Sequence, residues 1–154
     1  MCRSGSERSN QKGDSNEGHF STTVSTGTVY RDYRHTVVCG GPDPLFVNLT
    51  SDDLHRANMA ITFGRNQHER GHSLTIFLND KGVLIGSKVN STKFADHQKA
   101  LTELISKGAT VLICPMCMQH YDVKESDLLP GLNVGNPELT GGALFKDNTK
   151  TLTW

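Results

Sequence analysis

The sequence predicts a three-layer α/β/α domain with a mainly parallel sheet of about five strands. Short apolar runs bounded by Gly, Pro or Asn alternate with helical stretches of ten or more residues. That order calls for parallel strands joined by right-handed crossovers. The runs are continuous rather than alternating, as in strands covered on both faces. Composition sets the boundary. Residues 1–34 hold 7 of the 54 hydrophobic residues and residues 35–154 hold the other 47. The second segment, 120 residues, is an ordinary domain size with enough apolar surface for a core.

Residues 1–28 contain 16 Ser, Thr, Asn or Gly and four hydrophobic residues. Such a composition does not offset its ordering entropy, so 1–34 reads as a flexible extension and 35–154 as the domain. Thr36-Val37-Val38-Cys39 reads as a buried strand ended by Gly40-Gly41-Pro42. Pro42-Asp43-Pro44 keeps the next loop extended. A helix then starts near Thr50-Ser51, with Asp52 and Asp53 in its first turn. Leu54, Ala57, Ile61 and Gly64 share its inner face, and Arg70-Gly71 ends it with a left-handed glycine cap.

Ser73–Leu78 is the second strand, followed by the turn Asn79-Asp80-Lys81-Gly82 and the short apolar segment Val83-Leu84-Ile85. Ser91 or Thr92 caps a second helix with Phe94, Leu101, Leu104 and Ile105 inward, ended by Lys107-Gly108. Ala109–Ile113 is the third strand and runs into Cys114-Pro115-Met116-Cys117. A helix near 137–146 and a strand at Lys150–Trp154 complete the order.

Charge and composition exclude several classes. Sixteen basic and sixteen acidic residues cancel, leaving no electrostatic footprint for nucleic acid or anionic membrane. No apolar run approaches the ~20 residues of a membrane span. Arg3 and Arg8 are not followed by the apolar stretch of a secretory signal, so a reducing cytoplasm is expected. Four cysteines are too few for a disulfide scaffold.

Ligands in parallel α/β folds bind at strand carboxyl ends. Cys39 and Cys114 both fall there. With Pro115 at the first helical position, Cys114 becomes the N-cap, its sulfur facing the N–H groups of Met116 and Cys117. A thiolate is favoured there, and the thiolate is the nucleophile. Three active readings follow: a persulfide-carrying nucleophile at Cys114, a redox dithiol of Cys114 and Cys117, or a zinc site of Cys114, Cys117 and His120. Zinc needs a fourth ligand, Cys39 or His35, from far along the chain. The thioredoxin-type dithiol places its proline before the second cysteine, not after the first. Against all three stands simple burial of both cysteines as small hydrophobes.

Other residues have ordinary readings beside active ones. Cys39 is packing or a second thiol, and Cys2 is incidental. His120 is an exposed helix residue or a neighbour tuning the thiol. Asp80 shapes its turn with Gly82, Tyr121 lines or underlies the pocket, and Met59 and Met116 serve packing or an interface. Gly40-Gly41 lacks the rest of a phosphate-loop pattern.

Several stretches carry a family resemblance. They are Asp43-Pro44, Gly71–Phe77, Asp80-Lys81-Gly82-Val83, Gly108–Cys117, Asp127–Gly131 and Leu152-Thr153-Trp154. In their order and spacing they resemble the DsrE-like family of sulfur-relay proteins. That family includes the D subunit of the Tus sulfur-transfer complex and predicted peroxiredoxin-like proteins. The resemblance covers most of 35–154 and none of the extension. It implies a Rossmann-like fold assembling into trimers or hexamers. It also implies a cysteine after the third strand, here Cys114, that accepts sulfane sulfur as a persulfide. Cys117 belongs to a branch with a Cys-Pro-x-Cys pattern.

The expectation is therefore a cytoplasmic sulfurtransferase or sulfur carrier loading Cys114. Its partners are sulfur donor and acceptor proteins and further copies of itself, with no cofactor, nucleic acid or membrane. The alternatives are a thiol-disulfide or peroxidase-like protein using Cys114 and Cys117, and a non-enzymatic oligomeric binding module.

Overall fold

A computed structural model describes residues 42–154. The 1–34 extension, the strand expected at Thr36–Cys39 and the thiols of Cys2 and Cys39 lie outside the described residues.

Among the described residues, five parallel strands form one sheet. In chain order they are β1 (Leu45–Leu49), β2 (Leu74–Leu78), β3 (Thr110–Ile113), β4 (Asn133–Val134) and β5 (Lys150–Thr153). Their spatial order is β4-β3-β2-β1-β5. The helices are α1 (Leu54–Glu69), α2 (Ser91–Ser106), α3 (Pro115–His120) and α4 (Pro137–Leu144). This is the three-layer α/β/α architecture the sequence predicts.

The first described strand differs from the sequence reading, which left 45–49 unassigned between a loop and a helix. Leu45-Phe46-Val47-Asn48-Leu49 pairs residue for residue with Leu74–Leu78 and, on its other side, with β5. Asn48 interrupts the apolar run and hides the signal. In the fold, its side-chain oxygen accepts from the Asn79 amide at 2.7 Å, which lets it sit half-buried near the strand end.

α1 begins later than expected. Asp53 is the N-cap, its carboxylate accepting from the Arg56 N–H at 2.9 Å. Asp52 lies outside the helix and pairs with Lys93. Ala57, Ile61 and Gly64 are buried as expected, but Leu54 is exposed because it occupies the first helical position, at the end of the apolar stripe. Arg70 and Gly71 close the helix, Gly71 at φ +96°. In α2 the buried face is Phe94, Gln98, Leu101 and Leu104. Gln98 enters this apolar face by donating to the carbonyls of Ile85 and Ser87. The segment after β2 is a turn of 3-10 helix over Asp80–Leu84.

The main core lies between one sheet face and α1 and α2. It joins Val47, Leu49, Ile76, Leu78, Val111 and Ile113 to Ala57, Ile61, Leu101 and Leu104. Met118 of α3 belongs to the same core. The opposite face carries Phe46, Asn48 and Phe77, which share a groove with Thr140 and Leu144 of α4. Among the described residues, that eight-residue helix covers the second face incompletely. β2 alternates between buried and half-buried residues, and β5 is exposed along its length.

The connections place the site. From β1 to β4 the chain steps in one direction across the sheet, with its helices on the main core side. After β4 it crosses the opposite face through α4 and returns beyond β1 as β5. The connections leaving β3 and β4 thus diverge to opposite faces, and a crevice opens between their carboxyl ends. This is the topological switch point where parallel α/β folds bind ligands.

Candidate active site

Cys114 stands at the mouth of that crevice. Its N–H donates to the Leu78 carbonyl at 2.9 Å, continuing the ladder one residue past β3. Its backbone is extended (φ −75°, ψ 116°), and Pro115 opens α3. On the far side Gly135 N–H donates to the Ile113 carbonyl at 2.8 Å. Asn136 then caps α4 by accepting from the Leu139 N–H at 2.7 Å. The crevice, about 210 Å³, is walled by Phe77, Cys114, Met116, Asn136, Pro137 and Thr140. Its size suits a group of a few atoms rather than a drug-sized ligand.

One expectation is corrected here. Cys114 occupies the N-cap position, but its sulfur makes no capping hydrogen bond to the N–H groups of Met116 or Cys117. Cys117, one turn on, is a near neighbour of Cys114. Both are half-buried and both are free thiols.

Cys117 has an anchor that the sequence did not disclose. The main-chain N–H of Asp80, in the turn after β2, donates to Cys117 Sγ at 3.1 Å. Asp80 adopts a left-handed conformation (φ 44°), and its carboxylate accepts from the Tyr121 hydroxyl at 2.5 Å. Tyr121 follows α3 and stacks edge-on against His120, with ring centroids 4.7 Å apart. Burial pushes the Cys117 thiol up from its ordinary value. The Cys114 side chain and the Asp80 carboxylate act in the same direction, while the Asp80 N–H opposes them. The hydrogen bond to Asp80 pushes the Tyr121 phenol up to about 12.

The zinc alternative finds no support among the described residues. Among the described residues no three His, Cys, Asp or Glu side chains converge to hold a metal ion, so Cys114, Cys117 and His120 do not form a site. His120 points to Tyr121's ring rather than completing a ligand set. Met116 lines the crevice and is 79% exposed, while Met59 lies half-exposed on α1; neither is a core residue.

Phe77, Asn136 and Thr140 are the site residues the sequence reading missed. Asn136-Pro137 was a legible signal, since Asn before Pro marks a helix start. A second cavity lies at the amino end of β1, between Leu45, Phe63, His72 and Leu152. It is remote from the thiols, and His72 Nδ1 is already engaged with the Asp43 carbonyl at 2.7 Å.

Residues 45–148 match the DsrE/DsrF-like family. The chain belongs to that family. The uncharacterized protein MK0008 of Methanopyrus kandleri is 29% identical over 80 residues, 51% of this chain and 66% of that protein. The chain thus spans just under two thirds of that relative's length. Three solved structures share the fold. A protein of unknown function, MTH1491 from Methanobacterium thermoautotrophicum, superposes with a TM-score of 0.59 at 16% identity. The YchN protein of E. coli gives 0.55 at 17%; in both cases 73% of this chain and 99% of the other is covered. BT1422 of Bacteroides thetaiotaomicron gives 0.57 at 21%, over 73% of this chain and 95% of its own. At these identities the likeness establishes the fold.

Proposed function

We propose that this DsrE/DsrF-like protein carries sulfane sulfur as a persulfide on Cys114. The observation that carries the reading is the position of this thiol at the switch-point crevice, opposite the start of α4. The Cys114 thiolate attacks the outer sulfur of a donor persulfide. A new S–S bond forms on Cys114, the donor's S–S bond breaks, and the donor leaves as a thiol after taking a proton. An acceptor nucleophile reverses the step by attacking the outer sulfur of the loaded Cys114. The crevice leaves space for the added sulfur.

The partners are a sulfur donor and a sulfur acceptor protein, with function in the cytoplasm as a trimer or hexamer. No described helix is long and apolar enough to cross a membrane. A second reading, a thiol-disulfide or peroxidase-like protein, draws on the adjacency of Cys114 and Cys117.

Incubating the reduced protein with a low-molecular-weight persulfide and mapping its peptides by mass spectrometry tests the first reading. A mass gain of one sulfur on the Cys114 peptide, lost in Cys114→Ser, is expected. An unloaded Cys114, beside a carrier that loads under the same conditions, overturns the persulfide reading. Reversible oxidation that instead joins Cys114 to Cys117 favours the second.

A further inference from the structure

The crevice at Cys114 takes a group of a few atoms, and beside it lies a larger space under α4. We infer that this groove binds the organic part of an uncharged, amide-bearing low-molecular-weight thiol, which brings sulfur to Cys114 as its persulfide. The assignment rests on Cys114 being the sulfur-accepting thiol of the proposed carrier, and it gives that carrier a small-molecule donor.

Strand register builds the groove. Asn48 on β1 is aligned with Phe77 on β2 and with Thr153 on β5. The three therefore cross the sheet in one row, about 10 Å long over two strand spacings. Thr140 and Leu144, four residues apart on α4, close the row from the other side. The enclosed space is about 310 Å³. At about 30 Å³ for each water-sized group, roughly ten non-hydrogen atoms fit. Phe77 and Thr140 wall both the groove and the crevice of Cys114. A ligand lying in the groove thus has one end at the thiol.

The lining sets the ligand's chemistry. Among the described residues no charged side chain lines the groove or the crevice. A charged ligand would lose water there without meeting a counter-charge. Phe46 and Phe77, with ring centroids 6.2 Å apart, form an apolar floor. Thr140, Thr151 and Thr153 add hydroxyls, and Asn48 and Asn79 add two amides. Asn79 Nδ2 donates to Asn48 Oδ1 at 2.7 Å. That bond engages one half of each amide and leaves the Asn48 amino group as a donor and the Asn79 carbonyl oxygen as an acceptor. Among the described residues neither has a side-chain partner of its own. A donor and an acceptor on adjoining side chains complement the carbonyl and N–H of an amide. With the organic part held there, the persulfide's outer sulfur enters the crevice. The Cys114 thiolate attacks it, the donor's S–S bond breaks as the new one forms, and the small thiol takes a proton and leaves.

Titrating the isotopically labelled full chain with S-methyl-N-acetylcysteinamide, followed by NMR, tests the groove without sulfur transfer, since a thioether does not react with Cys114. The side-chain amide signals of Asn48 and Asn79 and the backbone signal of Thr140 are expected to shift and saturate. Methylthioethanol, which lacks an amide, should bind at least about fivefold more weakly, because each hydrogen bond is worth about two- to tenfold in affinity. S-methyl-N-acetylcysteine, which carries a carboxylate, should also bind more weakly. Thr153→Trp, at an exposed position, fills the groove and should abolish saturation. Thr140→Val keeps the side chain's shape without its hydroxyl and should weaken binding about two- to tenfold. Leu152→Ala, on the opposite sheet face, should leave binding unchanged. Unmoved Asn48 and Asn79 signals overturn the inference, as do equal affinities for the three probes or parent-like binding by both groove variants. Tighter binding of an S-methylated Ala-Ala-Cys-Ala-Ala peptide assigns the groove to a protein segment and overturns it as well. Thioether binding without persulfide loading overturns the carrier reading alone; loading without thioether binding overturns the groove alone.

Discussion

Tyr121 and Asp80 show how single residues encode the site. The phenol donates to a carboxylate, which favours its protonated form and pushes its ionisation from the ordinary 10 to about 12. A raised value in the folded state means the linked stability is complete below pH 10. It is lost as pH rises through the folded-state value. Titrating tyrosine absorbance should show a step near pH 12 that Tyr121→Phe removes and Asp80→Asn moves back toward 10. A Tyr121 step already near 10 in the parent protein would contradict the Asp80 bond. The Cys117 thiol follows the same sign: its folded-state value is raised, so its linked stability holds below the ordinary thiol range and declines above it. The surface pair Lys93–Asp52, half-exposed on the lysine side, lowers Asp52 through a hydrogen bond but adds little stability.

Among the elements, the turn after β2 matters most, because it carries Asp80 against the thiols. It packs closely on β1 through Gly82. A Cβ there would stand 2.1 Å from the Leu49 carbonyl oxygen, a backbone atom that cannot swing aside. Gly82→Ala is expected to destabilise the fold by about 1–3 kcal/mol, read by chemical denaturation. The same change should displace Asp80 and accelerate Cys117 alkylation, since the Cys117 environment loosens with it. Unchanged stability would show that the turn stands further from β1. Both Cys114 and Asn136 precede a helix-opening proline, so the two walls of the crevice are built by the same local device. In α4 the capping side chain is bonded; in α3 the cap sulfur is not, and that difference leaves Cys114 available for chemistry.

For the molecule as a whole, strand order decides which positions tolerate change. β2 is flanked by β1 and β3, and Ile76 is fully buried on the main core face. Among the described strands β5 lies at the edge, and its Leu152 is 38% exposed. Ile76→Ala is expected to cost about 2–5 kcal/mol and Leu152→Ala less than about 1.5 kcal/mol. Thermal unfolding of the two variants checks the contrast, and equal losses would contradict the sheet order. The same order makes the site. Because α4 crosses the second face, the divergence of connections falls between β3 and β4, beside Cys114.

Periodicity and punctuation in the sequence were sufficient for α1, α2, β2, β3 and β5. Their apolar runs end at Gly71, Gly108 and Pro115, and these signals act within a few residues of chain. They also located Cys114 at a strand end, because that depends only on where one strand stops. They were silent on β1, where Asn48 breaks the run and is acceptable only once Asn79 lies across from it. They were silent too on two-residue β4, which exists as a strand by pairing with β3. The Asp80–Cys117 contact joins residues 37 apart, and the Tyr121–Asp80 contact joins residues 41 apart. The sequence by itself determined the fold class, the family resemblance and the reactive-cysteine candidate, because local patterns encode them. Only the tertiary structure decided what surrounds that cysteine. Sulfur environments are set by hydrogen bonds between segments that strand pairing brings together, and no local pattern records those.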